Sequence, residues 1–283
     1  MRLVRYATPA GARVGVLRGS PDAAEVLPTA HTDLVAVVLS GSTPAPTGPP
    51  EVGVRLLAPV PRPGKIFGSG VNYASHQQEN PDAVLPDEPG FFAKLSSSVC
   101  GPGDPIRLPA PDAHVDYEVE LAVVVGRPGR DIAPADAMAH VAGFTVVNDV
   151  SDRGVQFRPN QMVLGKGCDT FCPMGPALVT PDEVGDLAGC AVRSTVNGEL
   201  RQDARVGDMI FDIPTLVAHA SRAITLEPGD VITTGTPAGC GTFRDPPLWL
   251  RPGDVVEVAV EGVGSLTNPV TAGRPPVPGR HGP

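Results

Sequence analysis

The sequence predicts an α+β protein in which short strands dominate and helices are few. Of the 283 residues, 34 are proline and 33 are glycine, whereas aromatic residues make up only 4%. Proline and glycine mark turns and interrupt long helices, so this composition favours many short strands joined by turns. The helical signals are confined to short segments, and the rest of the chain is rich in apolar, β-branched runs.

The order of the predicted elements suggests two unequal domains. Three strand-like runs open the chain, RLVRYAT, RVGVLRG and DLVAVVLS, and the segment GSTPAPTGPPE follows them at Gly41–Glu51. Its proline, glycine, serine and threonine content is typical of a linker. We therefore expect a small N-terminal domain with this linker over residues 1–60, a larger strand-rich domain over 61–270, and a disordered tail over 271–283.

One longer helix is predicted within the larger domain. Apolar residues recur at helical spacing from Ile213 to Ile224, and Asp212 stands where an N-cap residue is preferred. We expect this helix to pack one face against the sheets.

Charge and cysteine content narrow the function classes. The net charge is −9 and the pI is near 5.1, and no basic run exists, so we expect no nucleic-acid partner. No apolar run reaches 18 residues, so we expect no membrane span. The five cysteines are scattered and odd in number, which together with the absence of a signal-peptide pattern predicts a cytoplasmic protein. The C-x3-C spacing of Cys168 and Cys172 lacks the further ligands of a zinc finger.

Two carboxylates in the segment VDYEVELAVVVG carry the strongest chemical signal. Side chains alternate along a strand, so Glu118 and Glu120 point to the same side, about 7 Å apart. A solvated strand face would explain such a pair equally simply. However, the residues beyond the acids are apolar on both faces, which places the acids at a buried sheet end. Two buried carboxylates repel each other unless a cation lies between them. Oxygen ligands suit Mg²⁺ or Mn²⁺, and Ca²⁺ is a further possibility.

A third oxygen ligand is expected from the strand-like run GFTVVNDVSDR. Asp149 directly follows its β-branched residues, and Asp152 is the competing candidate. We prefer Asp149 because it lies nearer to the end of the strand.

An anionic substrate in an acidic protein requires a local positive charge. The chain has only three lysines, and Lys166 stands between two glycines that permit close approach of the backbone. Lys94, in FFAKLSSS, is the alternative.

A possible general base lies in GSGVNYASHQQE. His76 and Glu79 are three residues apart and therefore share one face of a short helix. The pair is either an exposed polar helix or a dyad in which the acid orients the imidazole as general base.

The segment TTGTPAGCG, Thr233–Gly241, could hold an anion through the backbone amides of its turn. It lacks the lysine of a nucleotide-binding P-loop. The chain also lacks the G-x-S-x-G elbow of serine hydrolases, so that class is not expected.

The ordered motifs resemble the fumarylacetoacetate hydrolase superfamily over about Lys65–Val270. The motifs are KIFGSGVNYASH, VDYEVELAVVVG, GFTVVNDVS, GKGCDTFCPMGP, VNGELRQ, ITLEPGDVITTGTPAGCG and LRPGDVVEVAVEGVGSLTN. The resemblance implies a catalytic domain of mixed β-roll or β-sandwich type after a small N-terminal domain, and a homodimer.

The resemblance also implies roles for individual residues. It makes Glu118, Glu120 and Asp149 ligands of Mg²⁺ or Mn²⁺. It places His76 and Glu79 in a water-activating dyad and Lys166 near the substrate. It adds Thr236 and Gln156, with Lys94, as substrate-binding residues.

The expected activity is hydrolysis of a C–C bond in a 1,3-diketo acid of the acylpyruvate type, through a metal-stabilised enolate. Two alternatives use the same site: decarboxylation of a substrate like oxaloacetate, and isomerisation or hydration of a 2-oxo or 2-hydroxy dienoate. An inactive metal-containing binding module is an alternative of another class.

Overall fold

The structure is a computed structural model that describes residues 1–19, 24–79 and 84–273. Short strands dominate it, as the composition predicts. The strands are β1 Arg2–Thr8, β2 Gly11–Arg18, β3 Glu25–Pro28, β4 Glu51–Val52, β5 Leu56–Leu57, β6 Ile66–Ser69, β7 Phe91–Lys94, β8 Val99–Cys100, β9 Ile106–Arg107, β10 Val115–Asp116, β11 Val119–Val125, β12 Val141–Asn148, β13 Ser151–Asp152, β14 Cys172–Val179, β15 Ala191–Val196, β16 Glu199–Arg205, β17 Val231–Thr233, β18 Val255–Val260 and β19 Gly264–Thr271.

The helices are short, and none in the described part of the chain is long and apolar enough to cross a membrane. They are α1 Leu34–Leu39, α2 Ala74–Glu79, α3 Arg153–Gln156, α4 Met162–Lys166, α5 Pro181–Val184 and α6 Ile213–Ala223, with 3-10 turns at Ser96–Ser98, Pro134–His140, Leu187–Gly189, Val206–Asp208 and Gly241–Phe243. The predicted helix α6 is present, and its N-cap Asp212 accepts a hydrogen bond from the Thr215 amide at 2.9 Å.

Helix α1 corrects one strand prediction. The run DLVAVVLS reads as a strand because its residues are apolar and β-branched. In the structure Asp33 caps it as a helix, and its carboxylate accepts from the Val35 amide at 2.9 Å and the Ala36 amide at 3.2 Å. Leu34 and Val37 are buried on one face, so the cap and the packing together outweigh the strand propensity.

A large sheet organises the described chain. Its strand order is β4-β3-β2-β1-β14-β12-β11-β17-β6-β7, with β5 paired to β1 and β8 to β14. A second sheet, β16-β15-β18-β19-β9, covers one face, and β10 and β13 form a separate pair. The strands before residue 60 join the large sheet through β1 and β14, where Arg2 lies opposite Val179. The domain boundaries at 60 and 270 stay a prediction, and residues 274–283 of the expected tail lie outside the described residues.

Strand β11 lies in the middle of the large sheet and connects the core to the site. Val119, Leu121, Val123 and Val125 belong to the apolar core beneath the second sheet, whereas Ala122 and Val124 belong to the core on the opposite face. All seven residues of β11 are buried. Burial on both faces is what the apolar run after the two acids predicts, and it makes the start of β11 a rigid platform for them.

Candidate active site

Three buried carboxylates converge at the start of β11. Glu118 immediately precedes the strand, Glu120 lies within it, and Asp149 follows the adjacent strand β12. Val119 pairs with Asn148 in the register of these strands, so the loop after β12 returns to the acids. One oxygen from each of the three acids lies within 4.8 Å of the others. The structure thus brings together the three predicted metal ligands. Asp152 does not join them: it caps α3 and accepts from the Gly154 amide at 3.0 Å.

Two lysines neutralise part of this negative charge. Lys166 Nζ donates to Glu118 Oε2 at 2.6 Å and to Asp149 Oδ2 at 2.7 Å. Lys94 Nζ donates to Asp149 Oδ1 at 2.5 Å and to the carbonyls of Val150 and Lys166. Lys94 is therefore occupied with holding Asp149 and the chain around it. Lys166 reaches the centre of the site, with its ammonium 4.7 Å above the Phe92 ring.

The glycines beside Lys166 have the role that the sequence suggests. A Cβ on Gly165 would lie 2.6 Å from backbone atoms of Gln156, and a Cβ on Gly167 would lie 2.5 Å from the Val163 carbonyl. Gly165 thus permits the close packing of α4 against α3, and Gly167 permits the turn that directly follows Lys166, so both help to bring the lysine to the carboxylates.

Arg153 is a site residue that the sequence reasoning missed. Its Nη2 donates to Glu118 Oε1 at 2.6 Å and to Asp116 Oδ2 at 2.9 Å, and its Nη1 donates to Gln156 Oε1 at 3.0 Å. Gln156 therefore reaches the site through the arginine. Asp116 could have been found from the sequence, because Asp116, Glu118 and Glu120 alternate with apolar residues and therefore share one face of a strand. The arginine had no such signal, because its partners lie 35 and 37 residues away.

The pKa directions show where the site lacks positive charge. Burial raises the pKa of Glu118, but Arg153 and Lys166 lower it more, so that it lies well below its usual range. Burial, Asp149 and Glu118 together raise the pKa of Glu120 well above its usual range. The negative charge of Glu118 is thus balanced by its cationic neighbours, whereas the cations among the described residues do not balance the negative charge around Glu120.

The loop after β17 uses its backbone amides to hold acids of the site. Gly235 N donates to Glu120 Oε2 at 2.8 Å, Gly239 N to Glu79 Oε1 at 2.7 Å, and Gly241 N to Asp116 Oδ1 at 2.8 Å. Anion binding was expected of this turn; in the structure its anions are the protein's own carboxylates. Thr236 Oγ1 donates to the Val119 carbonyl at 2.9 Å and accepts from Gln202 Nε2 at 2.7 Å, so its hydroxyl is occupied by contacts within the protein.

The dyad of α2 lies beside the carboxylates. His76 Nδ1 is 3.1 Å from Glu79 Oε2, and the ring packs edge-on against Phe243 with 5.5 Å between the ring centroids. His76 is close enough to Glu118 to contribute to lowering its pKa. Asn72, just before this helix, donates to the carbonyls of Phe211 and Thr234 and fixes the segment to the rest of the fold.

The residues fit a divalent cation at the carboxylate cluster. Glu118, Glu120 and Asp149 offer hard oxygen donors at short mutual distances, and Glu120, which accepts a hydrogen bond from the Gly235 amide, lies in a buried, negatively charged setting. A cation shared by the three acids removes the surplus charge at Glu120.

Comparisons with known proteins show which family the chain is similar to. The family described as "Fumarylacetoacetate (FAA) hydrolase C-terminal" matches residues 65–271. A curated relative from Xenopus laevis, named as a mitochondrial oxaloacetate tautomerase, is 48% identical over 77% of this chain and 68% of its own length. The human mitochondrial oxaloacetate tautomerase FAHD2A is also 48% identical, over 78% of this chain and 71% of its own length.

Solved structures share the whole fold. A 2-hydroxyhepta-2,4-diene-1,7-dioate isomerase from Mycobacterium marinum is 38% identical with a TM-score of 0.82, over 97% of this chain and 100% of its own. The fumarylacetoacetate hydrolase of Exiguobacterium antarcticum is 39% identical with a TM-score of 0.85, over 96% of this chain and 99% of its own. The predicted β-dominated fold is confirmed.

The cytoplasmic location predicted from the cysteines is wrong. Relatives from Xenopus laevis, Homo sapiens and Bos taurus are named as mitochondrial proteins. Free cysteines indicate a reducing environment, which more than one compartment provides, and so they do not identify the compartment.

The family match spans most of the chain, and the site it implies is assembled in the structure. Enzymes of this family depend on a divalent metal, and the cluster of Glu118, Glu120 and Asp149 fits one. The chain therefore belongs to the fumarylacetoacetate hydrolase family and is an enzyme of that family.

Proposed function

We propose that this enzyme catalyses a metal-dependent proton shift between the enol and keto forms of a 2-oxo dicarboxylate, with oxaloacetate as the first candidate. One observation carries the proposal: a hard-cation cluster lies beside an imidazole that an acid already orients. Such a site can hold the oxygens of a 2-oxo acid on one side and move a proton on the other.

Relatives favour the isomerase alternative over the hydrolase that the sequence suggested first. The curated relatives from Xenopus laevis and human are named oxaloacetate tautomerases, and two solved relatives are named isomerases of 2-hydroxy dienoic acids. Oxaloacetate and the 2-hydroxy dienoates in these names share a carboxylate next to a 2-oxo or 2-hydroxyl carbon. The reactions share the transfer of a proton between an enol and a carbon atom.

The metal that we propose is Mg²⁺ or Mn²⁺, held by Glu118, Glu120 and Asp149. A divalent cation bound there supplies Lewis-acid stabilisation of negative charge on the 2-oxygen of the substrate. Arg153 and Lys94 orient two of the ligands from outside, since each donates to a carboxylate of the cluster.

Lys166 supplies a fixed positive charge to the substrate. Burial lowers its pKa, but Asp149 and Glu118 raise it more, so the ammonium stays protonated. It therefore offsets the charge of the substrate carboxylate and of the developing enolate without giving up a proton.

His76 is the proposed proton carrier. Glu79 holds Nδ1, which leaves Nε2 to exchange a proton with the carbon next to the 2-oxo group. Glu79 itself is fixed by the Gly239 amide, so the ring orientation is set from the loop after β17. Gln156 and Thr236 contribute through Arg153 and Gln202, to which they are hydrogen-bonded.

Hydrolysis of an acylpyruvate is the second candidate, because the solved fumarylacetoacetate hydrolase is as similar to this chain as the isomerases are. It needs the same residues, with His76 taking a proton from water in place of carbon. Decarboxylation of oxaloacetate would pass through the same enolate chemistry. A homodimer remains our expectation for the assembly.

One experiment separates these reactions. Enol-oxaloacetate is added to enzyme with Mg²⁺, and ketonisation is followed by the loss of enol absorbance, with EDTA as the metal-free reference. NMR of oxaloacetate and acetylpyruvate incubations then identifies the products. We expect fast, metal-dependent ketonisation; pyruvate from oxaloacetate or acetate from acetylpyruvate at a higher rate would replace the proposal with decarboxylation or hydrolysis. Glu118→Gln should lose activity, and Glu257→Gln, at an exposed position on β18, is the matched control.

A further inference from the structure

A second cluster of possible metal ligands lies beside the carboxylate cluster and has a different chemical character. Donor atoms of His76, Glu79 and Cys240 all lie within 4.8 Å of one another. His76 Nδ1 is 3.1 Å from Glu79 Oε2 and 3.9 Å from Cys240 Sγ. The catalytic proposal uses the histidine and the glutamate, and it leaves the cysteine without a role.

The spacing suits a tetrahedral zinc ion. Zinc binds thiolate sulfur at about 2.3 Å and imidazole nitrogen at about 2.0–2.1 Å. At a tetrahedral angle these bonds place sulfur and nitrogen about 3.6 Å apart, and nitrogen and carboxylate oxygen about 3.4 Å apart. The distances in the structure, 3.9 and 3.1 Å, lie on either side of these values. Shifts of a few tenths of an ångström would bring these two pairs of atoms to the distances of a tetrahedral zinc site.

An outer contact already orients one of the three ligands. Gly239 N donates to Glu79 Oε1, which leaves Oε2 directed at the imidazole. Partners of this kind fix the orientation of metal ligands in zinc sites.

Charge and access also favour an ion at this position. A thiolate, a carboxylate and a neutral imidazole balance a dication, so the occupied site has no net charge to bury. Cys240 is buried, but the side chains of His76 and Glu79 are 14% and 19% exposed and provide an open side for a water ligand.

We propose that His76, Glu79 and Cys240 form a zinc site, distinct from the carboxylate cluster, at which Zn²⁺ inhibits the enzyme. Nitrogen and sulfur ligands select zinc, whereas the three carboxylates select Mg²⁺ or Mn²⁺. Bound zinc occupies His76 Nδ1 and the Glu79 carboxylate and so removes the acid–base pair. The inhibitory consequence rests on the proposed function; the binding site does not.

Cobalt substitution tests the binding site without substrate. Co²⁺ is titrated into the enzyme with excess Mg²⁺ present, and the thiolate-to-cobalt charge-transfer band is recorded, followed by its displacement with Zn²⁺. We expect the band in the wild type and its loss in Cys240→Ser. The Zn²⁺ affinity of this variant should be more than about 100-fold weaker, because loss of a residue that only hydrogen-bonds to a metal ligand already costs about 10–100-fold. Cys168→Ser is the matched control, because Cys168 has the most exposed thiol among the five cysteines.

A second variant guards against a folding defect in Cys240→Ser. His76→Gln keeps the thiol and removes one ligand, so it too should weaken zinc binding about 100-fold or more. A band that is absent from the wild type, or that persists in Cys240→Ser, or that disappears in Cys168→Ser, overturns the assignment. Inhibition is scored separately: Zn²⁺ should slow Mg²⁺-loaded wild type and not Cys240→Ser. Absence of any tautomerase activity would reject the proposed function and leave the cobalt result readable.

Discussion

Glu118 and Glu120 allow a paired test, because the same Glu→Gln substitution should change the stability of the metal-free protein differently at the two positions. Glu118 accepts hydrogen bonds from Arg153 at 2.6 Å and Lys166 at 2.6 Å. Glu120 accepts a hydrogen bond from the Gly235 amide. Burial is the largest cause of its raised pKa, and the charges of Asp149 and Glu118 add to it. One substitution removes the partner of buried cations, and the other removes a surplus buried charge.

The magnitudes follow from these contacts. Breaking a buried ion pair by removing one partner costs about 3–5 kcal/mol. At about 2–4 °C per kcal/mol, Glu118→Gln should lower the thermal midpoint by about 6–20 °C. Glu120→Gln should leave the free energy of unfolding unchanged or raise it by up to about 2 kcal/mol, since the amide keeps the Gly235 contact and can donate to a neighbouring carboxylate.

The assay is thermal unfolding and urea unfolding in EDTA. The urea series is repeated with Mg²⁺ at about 100 times its dissociation constant. The wild type should gain about 2.7 kcal/mol from the metal, and both variants should lose that gain. Glu257→Gln should behave as the wild type in both conditions. Equal destabilisation by the two site variants, or an undiminished metal gain in either of them, would refute the reasoning about charge balance.

Three further predictions concern rate and pH. His76→Gln should lower the ketonisation rate about 10²–10⁴-fold while calorimetry shows unchanged Mg²⁺ affinity; an equal loss of affinity would count against a proton-transfer role. Lys166→Met should lower kcat about 10²–10³-fold, and Lys65→Met, which removes ion pairs with Glu227 and Asp230 ahead of β17, should not; similar rates for both variants would remove Lys166 from the mechanism. The third prediction follows from the pKa of Glu120, which is raised from 4.5 in the folded protein. The free energy of unfolding of the metal-free protein should therefore fall as the pH rises above 4.5. The slope is at most about 1.4 kcal/mol per pH unit, and it ends where the pH passes the folded-state pKa. Urea midpoints in EDTA across this range check the slope, which Glu120→Gln should flatten.

The local parts of the site could be predicted from the sequence. Alternation along a strand places Glu118 and Glu120 on one side, and helical spacing pairs His76 with Glu79. The apolar run after the acids predicts that both faces of β11 are buried. Each of these inferences uses a geometry that repeats over a few residues, and the structure has each arrangement.

The contacts that link distant segments could not be predicted in this way. Lys94 reaches Asp149 across 55 residues, and Gly239 reaches Glu79 across 160. Such pairs depend on the path of the whole chain, for which local spacing carries no signal. The strand predicted at DLVAVVLS is absent for another reason: Asp33 begins that run, and its side chain caps helix α1.

Anomalous diffraction from a crystal grown with Mn²⁺ tests the central claim most directly, because it locates the cation without reference to activity. The account predicts one peak about 2.0–2.6 Å from oxygens of Glu118, Glu120 and Asp149, the range for hard divalent cations bound to carboxylates. A crystal in which these carboxylates bind only Lys94, Lys166 and Arg153, with the manganese peak elsewhere or missing, would contradict it.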